Sequence, residues 1–280
     1  MTLPRRNENP DYQRGSIFFV GTATVVIRYA GFTILTDPNF LHAGDHVHLG
    51  YGLTSVRRTD PAVEIDDLPP VDFVLLSHLH GDHFDRVAER KLNKATPIVS
   101  TRHATRYLER VGFTHTHALE TWEPLELHKG EANVRITAMP GTHGPGPLGT
   151  LLPPVMGSML DFGSGENFLR MYISGDTLIH DRLREIPRRF SDVDLALLHL
   201  GGTEVLGIMV TMDASQGLQA MRIVDPRTAI PIHYNDYEAF KSPLEDFKRA
   251  VNQAGLEDRV HYLAHGDTYE FDLQSARAGS

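Results

Sequence analysis

The chain contains no cysteine. That excludes a disulfide framework, thiolate metal ligands and a cysteine nucleophile, and it fits the reducing cytoplasm, which is the expected location. Long apolar runs are also missing. No stretch approaches the roughly 18 consecutive apolar residues that would cross a bilayer, so no membrane span is expected. The opening residues include Arg5, Arg6, Asn7, Glu8 and Asn9 and lack the apolar centre of a secretory signal. Basic clusters are scarce. With 27 Lys and Arg against 36 Asp and Glu the formal net charge is −9, whereas nucleic-acid binders present a basic face to phosphates. The expected partner is a small-molecule substrate and not nucleic acid. Composition says nothing about oligomeric state.

Histidine, by contrast, is abundant, with sixteen in 280 residues. Its meaning depends on where it falls along the chain. Residues 17–20, 24–29 and 32–35 are rich in β-branched and aromatic side chains and read as a β-meander punctuated by Gly21 and Ala30-Gly31. Residues 38–70, with four prolines and three glycines, read as a long irregular segment of the kind that carries function. A buried strand is expected over 71–77 and helices over 85–94 and 101–111. Strands follow at 125–128 and 132–139, then at 159–162 and 168–174 about a Gly163-Ser164-Gly165 turn. The last third alternates strands at 193–200, 228–233, 260–264 and 269–273 with helices at 214–223 and 243–254, and 274–280 reads as a disordered tail. The pattern predicts one α/β domain over residues 1–280, its core about 16–273, with two sheets packed together between helices.

The densest chemistry is Ser77-His78-Leu79-His80-Gly81-Asp82-His83, four ligand-type side chains directly after a buried apolar strand. A chain leaving a strand is extended, so His78 and His80 point the same way. Gly81 permits a tight turn, beyond which Asp82 and His83 can face a second point in space. Such spacing serves two neighbouring metals, and imidazole and carboxylate suit borderline to hard cations.

His78 to His83 matches the His-x-His-x-Asp-His motif, and the chain resembles the metallo-β-lactamase superfamily. Further matches arrive in the family's order, each at a strand end: Asp37 in Leu35-Thr36-Asp37-Pro38, His143 in Gly141-Thr142-His143-Gly144, Asp176 in Ser174-Gly175-Asp176-Thr177, and His233 in Pro231-Ile232-His233-Tyr234. The resemblance implies an αβ/βα four-layer sandwich with two divalent metal ions at one edge between the sheets. Zinc is the foremost choice, and manganese or iron also suits the ligands. It implies a first site of His78, His80 and His143, a second of Asp82, His83 and His233, Asp176 shared, and Asp37 buttressing a ligand histidine. The implied activity is hydrolysis of an ester-type bond, a phosphodiester or a lactone or carboxylic ester, by hydroxide held between the metals. Two-zinc antibiotic-hydrolysing members often use a cysteine that this chain lacks, so β-lactams are not the expected substrate. The stretch from Gly21-Thr22-Ala23-Thr24 to Pro38 resembles the branch of N-acyl-phosphatidylethanolamine phospholipase D and the ascorbate-phosphate lactonase relatives. Phospholipase members often carry a histidine where this chain reads Thr211-Met212-Asp213, which tells against phospholipid.

Asp82 is expected to orient the hydroxide, and His265, in Ala264-His265-Gly266-Asp267, to donate a proton to the leaving group or support the second metal. His199 and Tyr234 at strand ends, and His46 and Tyr51 in the 38–70 segment, are expected to face substrate, with His42, His48, Arg57 and Arg58 on the same substrate-facing lid. His103, His115, His117, His128, His180 and His261 read as structural or surface residues. A di-iron oxidoreductase of the same fold and a non-catalytic metal-binding protein are the rival readings.

Overall fold

The computed structural model describes residues 1–4, 10–49, 54–146, 148–163, 168–205 and 207–273. The first half forms β1 (Arg14–Gly21), β2 (Thr24–Tyr29), β3 (Phe32–Thr36), a hairpin of β4 (His46–His48) and β5 (Thr54–Val56), β6 (Phe73–Leu75), α1 (Arg86–Lys91), β7 (Ile98–Ser100), α2 (Arg102–Arg110) and β8 (Thr116–Ala118). There follow β9 (Pro124–Lys129), β10 (Ala132–Pro140), α3 (Leu148–Leu151), β11 (Met156–Phe162), β12 (Leu169–Ile173), α4 (Ile186–Arg189) and β13 (Leu195–His199). A small hairpin of β14 (Glu204–Val205) and β15 (Ile208–Met209), α5 (Ala214–Val224), β16 (Thr228–Ile232), α6 (Leu244–Gln253) and β17 (Thr268–Asp272) complete the order.

Two sheets carry the architecture. One has the order β17-β1-β2-β3-β6-β7-β8, the other β16-β13-β12-β11-β10-β9. Side chains alternate across a strand, and here both faces are apolar. Val25, Ile27, Ile34, Phe73, Leu195 and Leu197 fill the space between the sheets. Their neighbours Val26, Leu35 and Val74 turn outward to meet Ala88 and Leu92 at α1 and Ala104 and Leu108 of α2. On the far side Ala196 and Leu198 meet Ala220 and Met221 of α5 and Phe247 and Val251 of α6. Helix, sheet, sheet, helix is the expected four-layer αβ/βα sandwich. Helix starts are fixed locally: the Asp85 carboxylate accepts from Val87 N and Ala88 N, Thr101 Oγ1 from Ala104 N, and Asp213 from Gln216 N.

Some elements differ from the sequence expectation. The 71–77 strand shortens to β6 because buried Asp72 bonds Lys129 Nζ at 2.7 Å and Thr33 N at 2.8 Å, and the chain leaves the sheet at Ser77. Residues 260–264 form no strand, only a bridge from Val260 to Ala229. The 38–70 segment contains the β4–β5 hairpin, and β8 was not anticipated. The expected 274–280 tail and residues 164–165 of the expected turn lie outside the described residues.

Strand direction positions the chemistry. β3 and β6 run parallel, as do β12, β13 and β16, and β10 runs the same way as β12 because both are antiparallel to β11. Asp37, His78, His143, Asp176, His199 and His233 therefore emerge from carboxyl ends of strands at one edge of the sandwich.

Candidate metal centre

Three imidazoles converge first. His78 Nε2 and His143 Nε2 lie 3.0 and 3.2 Å from His80 Nδ1. Tetrahedral ligand nitrogens at about 2.0–2.1 Å from a zinc ion would be about 3.3 Å apart, so the spacing suits one cation. Each flanking ring is oriented from behind. His78 Nδ1 faces Ser77 Oγ at 3.0 Å, and His143 Nδ1–H donates to the Val210 carbonyl at 2.9 Å. Burial pushes all three imidazoles below their ordinary range, His80 to about 3, which keeps them neutral and able to ligate.

A second group joins Asp82, His83, Asp176 and His233, all buried. His233 Nε2 is 3.4 Å from Asp82 Oδ2, and His83 Nε2 is 3.4 Å from Asp176 Oδ2. Burial alone would depress His83 and His233, but the carboxylates outweigh it and hold both above the usual imidazole value. Burial likewise opposes ionisation of Asp82, yet the His83 and His233 charges bring it down to about 2. The Asp176 carboxylate belongs to the second group, with Oδ2 3.4 Å from His83 Nε2 and Oδ1 3.6 Å from His233 Nδ1, and its charge raises the imidazoles of both groups against the effect of burial.

The second group is held by residues behind it. Asp37 Oδ1 accepts from Ser77 N at 2.7 Å, and Asp37 Oδ2 lies 3.3 Å from His83 Nδ1 and 3.2 Å from His199 Nε2. His233 Nδ1–H donates to the Leu200 carbonyl at 3.0 Å. Thr211 Oγ1 donates to Asp176 Oδ2 at 2.8 Å. Thr211 thus has a definite contact, and its place in the Thr211-Met212-Asp213 motif was the signal for it. Asp85 was missed as well, although an acidic residue before a helical stretch reads as a cap. Its Oδ2 also accepts from Phe40 N and from Leu41 N, tying the chain beyond Asp37 to α1. Gly81 is small for a reason other than the turn: its backbone stays outside the left-handed region. A Cβ there would lie 2.5 Å from Val47 Cγ2 and 3.0 Å from the His48 carbonyl, because the β4–β5 hairpin crosses directly over the loop.

The remaining expected residues are placed differently from the ligands. His199 is buried beneath the second group, stacked on His83 with ring centroids 5.9 Å apart, and does not face solvent. Tyr234 is in the inter-sheet core, its hydroxyl donating to the Leu263 carbonyl at 2.7 Å. His46 is exposed on β4, while His48, two residues on, lines the cleft beside His80. His265 joins neither ligand group: its Nε2 is 3.2 Å from Asp236 Oδ1 and its ring meets Phe19 edge-on. Arg57 is buried, donating to Asn39 O and Asn39 Oδ1, and is no lid residue. Tyr51 lies outside the described residues.

The ligand groups fit cations. Asp82 Oδ1, His83 Nε2, Asp176 Oδ1 and His233 Nε2 are buried with no hydrogen-bond partner in the protein, a costly arrangement unless something else satisfies it. Residues 32–234 match the Beta-lactamase superfamily domain. The chain belongs to the metallo-β-lactamase superfamily. Within it, a UPF0173 metal-dependent hydrolase of Pelotomaculum thermopropionicum is 32% identical over 202 residues, 71% of this chain and 82% of that protein. Another, from Exiguobacterium sp., is 29% identical over 241 residues, 86% of this chain and 95% of that protein. The crystal structure of an isothiocyanate hydrolase from Delia radicum gut bacteria superposes with a TM-score of 0.76 at 22% identity, covering 92% of this chain and 99% of that one. This superfamily member is a metal-dependent hydrolase, and its histidine and aspartate groups are able to hold metal ions. Among the described residues, no helix is long and apolar enough to cross a membrane.

Proposed function

We propose that the enzyme cleaves an ester-type bond using two divalent cations, zinc foremost. The observation that supports this most is the pair of buried groups, His78, His80 and His143 in one and Asp82, His83, Asp176 and His233 in the other, each with ligand atoms close enough to share an ion. His78, His80 and His143 would hold the first cation, Asp82, His83 and His233 the second, and Asp176 both. When bound, such ions act as Lewis acids and bring the pKa of a water from near 16 to about 7. The protein's own groups do the positioning. Asp37 and the Leu200 carbonyl fix the tautomers of His83 and His233, so that Nε2 of each is free to ligate. Ser77 and Val210 do the same for His78 and His143. Asp82 Oδ1, unpartnered and buried, is placed to accept a proton from the attacking water and orient it.

The test is metal content joined to activity. Protein purified without chelator and saturated with zinc should carry two ions per chain, lose hydrolysis on chelation and regain it on reloading. Asp82→Asn should retain the first ion, lose most of the second, and slow hydrolysis beyond the roughly 10–100-fold that follows loss of a residue merely supporting a ligand. One ion or none after saturation defeats the two-metal reading. Full metal content with unchanged turnover in Asp82→Asn removes its assigned role.

A further inference from the structure

A cleft of about 570 Å³ opens against His80, within the roughly 300–1,000 Å³ of small-molecule sites. One wall is Leu79 and Phe84, from the metal loop and the turn after it. The other is Leu151, Leu152 and the Pro153-Pro154 pair. Leu151 is 60% exposed and Ile208 43%, the two large hydrophobic side chains left open to solvent among the described residues. They are not scattered. Leu152 packs with Val205 and Val210 of the segment that carries Ile208, and the Val210 carbonyl holds the ligand His143. The apolar surface is thus gathered beside the metal centre, where exposed apolar area marks a binding site.

Charge narrows the occupant further. No lysine or arginine among the described residues lines the cleft. The neighbouring Arg86 is drawn to Asp45 at 2.5 Å and Arg102 to Glu120 at 3.0 Å. The Tyr107 hydroxyl is committed to Glu89 Oε2 at 2.6 Å, so this side chain offers mainly its ring. What remains polar beside the ligand is the imidazole of His48 and that of His103, suited to one oxygen of an uncharged group. A phosphodiester would bring a negative charge to a wall with no lysine or arginine in its lining, where Arg110 is set back behind the Tyr107 ring with its guanidinium 5.8 Å from the ring centre, on a chain of net charge −9.

Resting on the hydrolase reading above, we propose that the substrate is an uncharged carboxylic ester or lactone carrying an unbranched apolar chain, and that this cleft takes the chain. Hydrolysis is then balanced by water alone. The water oxygen bonds to the acyl carbon, the acyl–oxygen bond breaks, and the departing oxygen takes a proton to leave as the alcohol.

The test uses the zinc-loaded full chain with nitrophenyl acetate, butyrate, hexanoate and octanoate below their aggregation concentrations, beside bis(nitrophenyl) phosphate. The value of kcat/KM should rise about two- to fourfold per methylene, fourfold being a fully buried methylene of ~0.8 kcal/mol, and the phosphodiester should be slower than every ester. Leu151→Glu should lower the octanoate-to-acetate ratio about tenfold, and Leu151→Ala, a milder change at an exposed position, should lower it less, with metal content unchanged in both. A flat dependence on chain length, preference for the phosphodiester, or unchanged ratios in both variants overturns the proposal. Two bound metals with no cleavage of any of these compounds would instead defeat the ester-hydrolase reading on which it rests.

Discussion

Replacing His199 with phenylalanine should weaken the second cation and spare the first. Asp37 is a fully buried carboxylate held by three donors: Ser77 N–H on Oδ1, and His83 Nδ1 and His199 Nε2 on Oδ2, at 2.7, 3.3 and 3.2 Å. Burial depresses the His199 imidazole, which keeps it the neutral partner that donates Nε2–H. Phenylalanine preserves a ring to stack on His83 but removes that donor. A hydrogen bond to a charged group contributes about 1.5–3 kcal/mol, so the metal-free variant should melt roughly 3–12 °C lower at about 2–4 °C per kcal/mol. The metal effect is separate. With one of its three donors gone, Asp37 holds the His83 ring less firmly, and since complete loss of such a support costs about 10–100-fold in affinity, ~1.4–2.7 kcal/mol, the weakening should reach at most that range. The first ligand group is oriented through Ser77 Oγ and the Val210 carbonyl, neither of which bonds the His199 ring. A competition titration against a chromophoric chelator resolves the two affinities, and His199→Gln, which can still offer an N–H, should recover part of the loss. Two wild-type affinities in His199→Phe would refute the reasoning, as would equal weakening of both sites.

Metal ions that bind only the folded chain stabilise it by mass action, about 2.7 kcal/mol per site at a hundred times the dissociation constant. Two sites should therefore lift the melting temperature of chelator-treated protein by roughly 10–20 °C on saturation with zinc, measured by calorimetry. His265→Ala should act through Asp236. Burial pushes that carboxylate up, but the His265 and Thr59 bonds and the Arg57 charge leave it below its ordinary value. A carboxylate depressed in the fold adds stability that is full above its unfolded value, near 3.8, and lost as pH falls through the folded one. Removing His265 raises the folded value, so the acid-unfolding midpoint should move to higher pH with two metals still bound at neutral pH. A rate loss confined to poor leaving groups, at unchanged acid stability, would show instead that His265 donates a proton.

The gathering of the proposed ligands was legible because each belongs to a short motif after an apolar strand, and the strands' common direction brings those ends together. The sandwich was legible for a related reason: continuous apolar runs such as 195–198 are what a strand buried on both faces requires. Other features depend on tertiary neighbours that no local pattern reveals. Nothing in Thr116-His117-Ala118 marks an edge strand until β7 lies beside it. His199 and Tyr234 both end or follow strands and invite the same reading, yet one meets Asp37 and the other the Leu263 carbonyl. Gly81 read as a turn residue, whereas a hairpin distant in sequence occupies the space its side chain would need. The 38–70 segment hid buried Arg57, whose partner Asn39 also donates to the Gly81 carbonyl at 3.0 Å and so helps fix the metal loop.

Four of the eight non-glycine residues with left-handed backbone among the described residues lie where those motifs turn. Thr22 at φ 53°, Asp37 at 35°, His233 at 61° and Asn235 at 61° are all left-handed without being glycine. The conformation costs an L-residue about 1–2 kcal/mol, and it is most severe for β-branched Thr22. Its bonds give the reason it persists. Thr22 N donates to Asp236 Oδ2 at 2.6 Å, and the Thr22 carbonyl accepts from His233 N at 2.6 Å, so this turn holds the backbone of a proposed ligand. Thr22→Gly and Thr22→Ala both delete the hydroxyl, which lies 3.5 Å from Asn39 Oδ1, so the difference between them isolates the backbone. At ordinary element positions glycine is less stable than alanine by about 0.5–1 kcal/mol. Here the order should reverse by about 1 kcal/mol, placing the glycine variant roughly 2–4 °C above the alanine variant in melting temperature. An alanine variant that melts higher by the ordinary margin would mean that Thr22 stores no strain and that hydrogen bonds alone keep His233 in place.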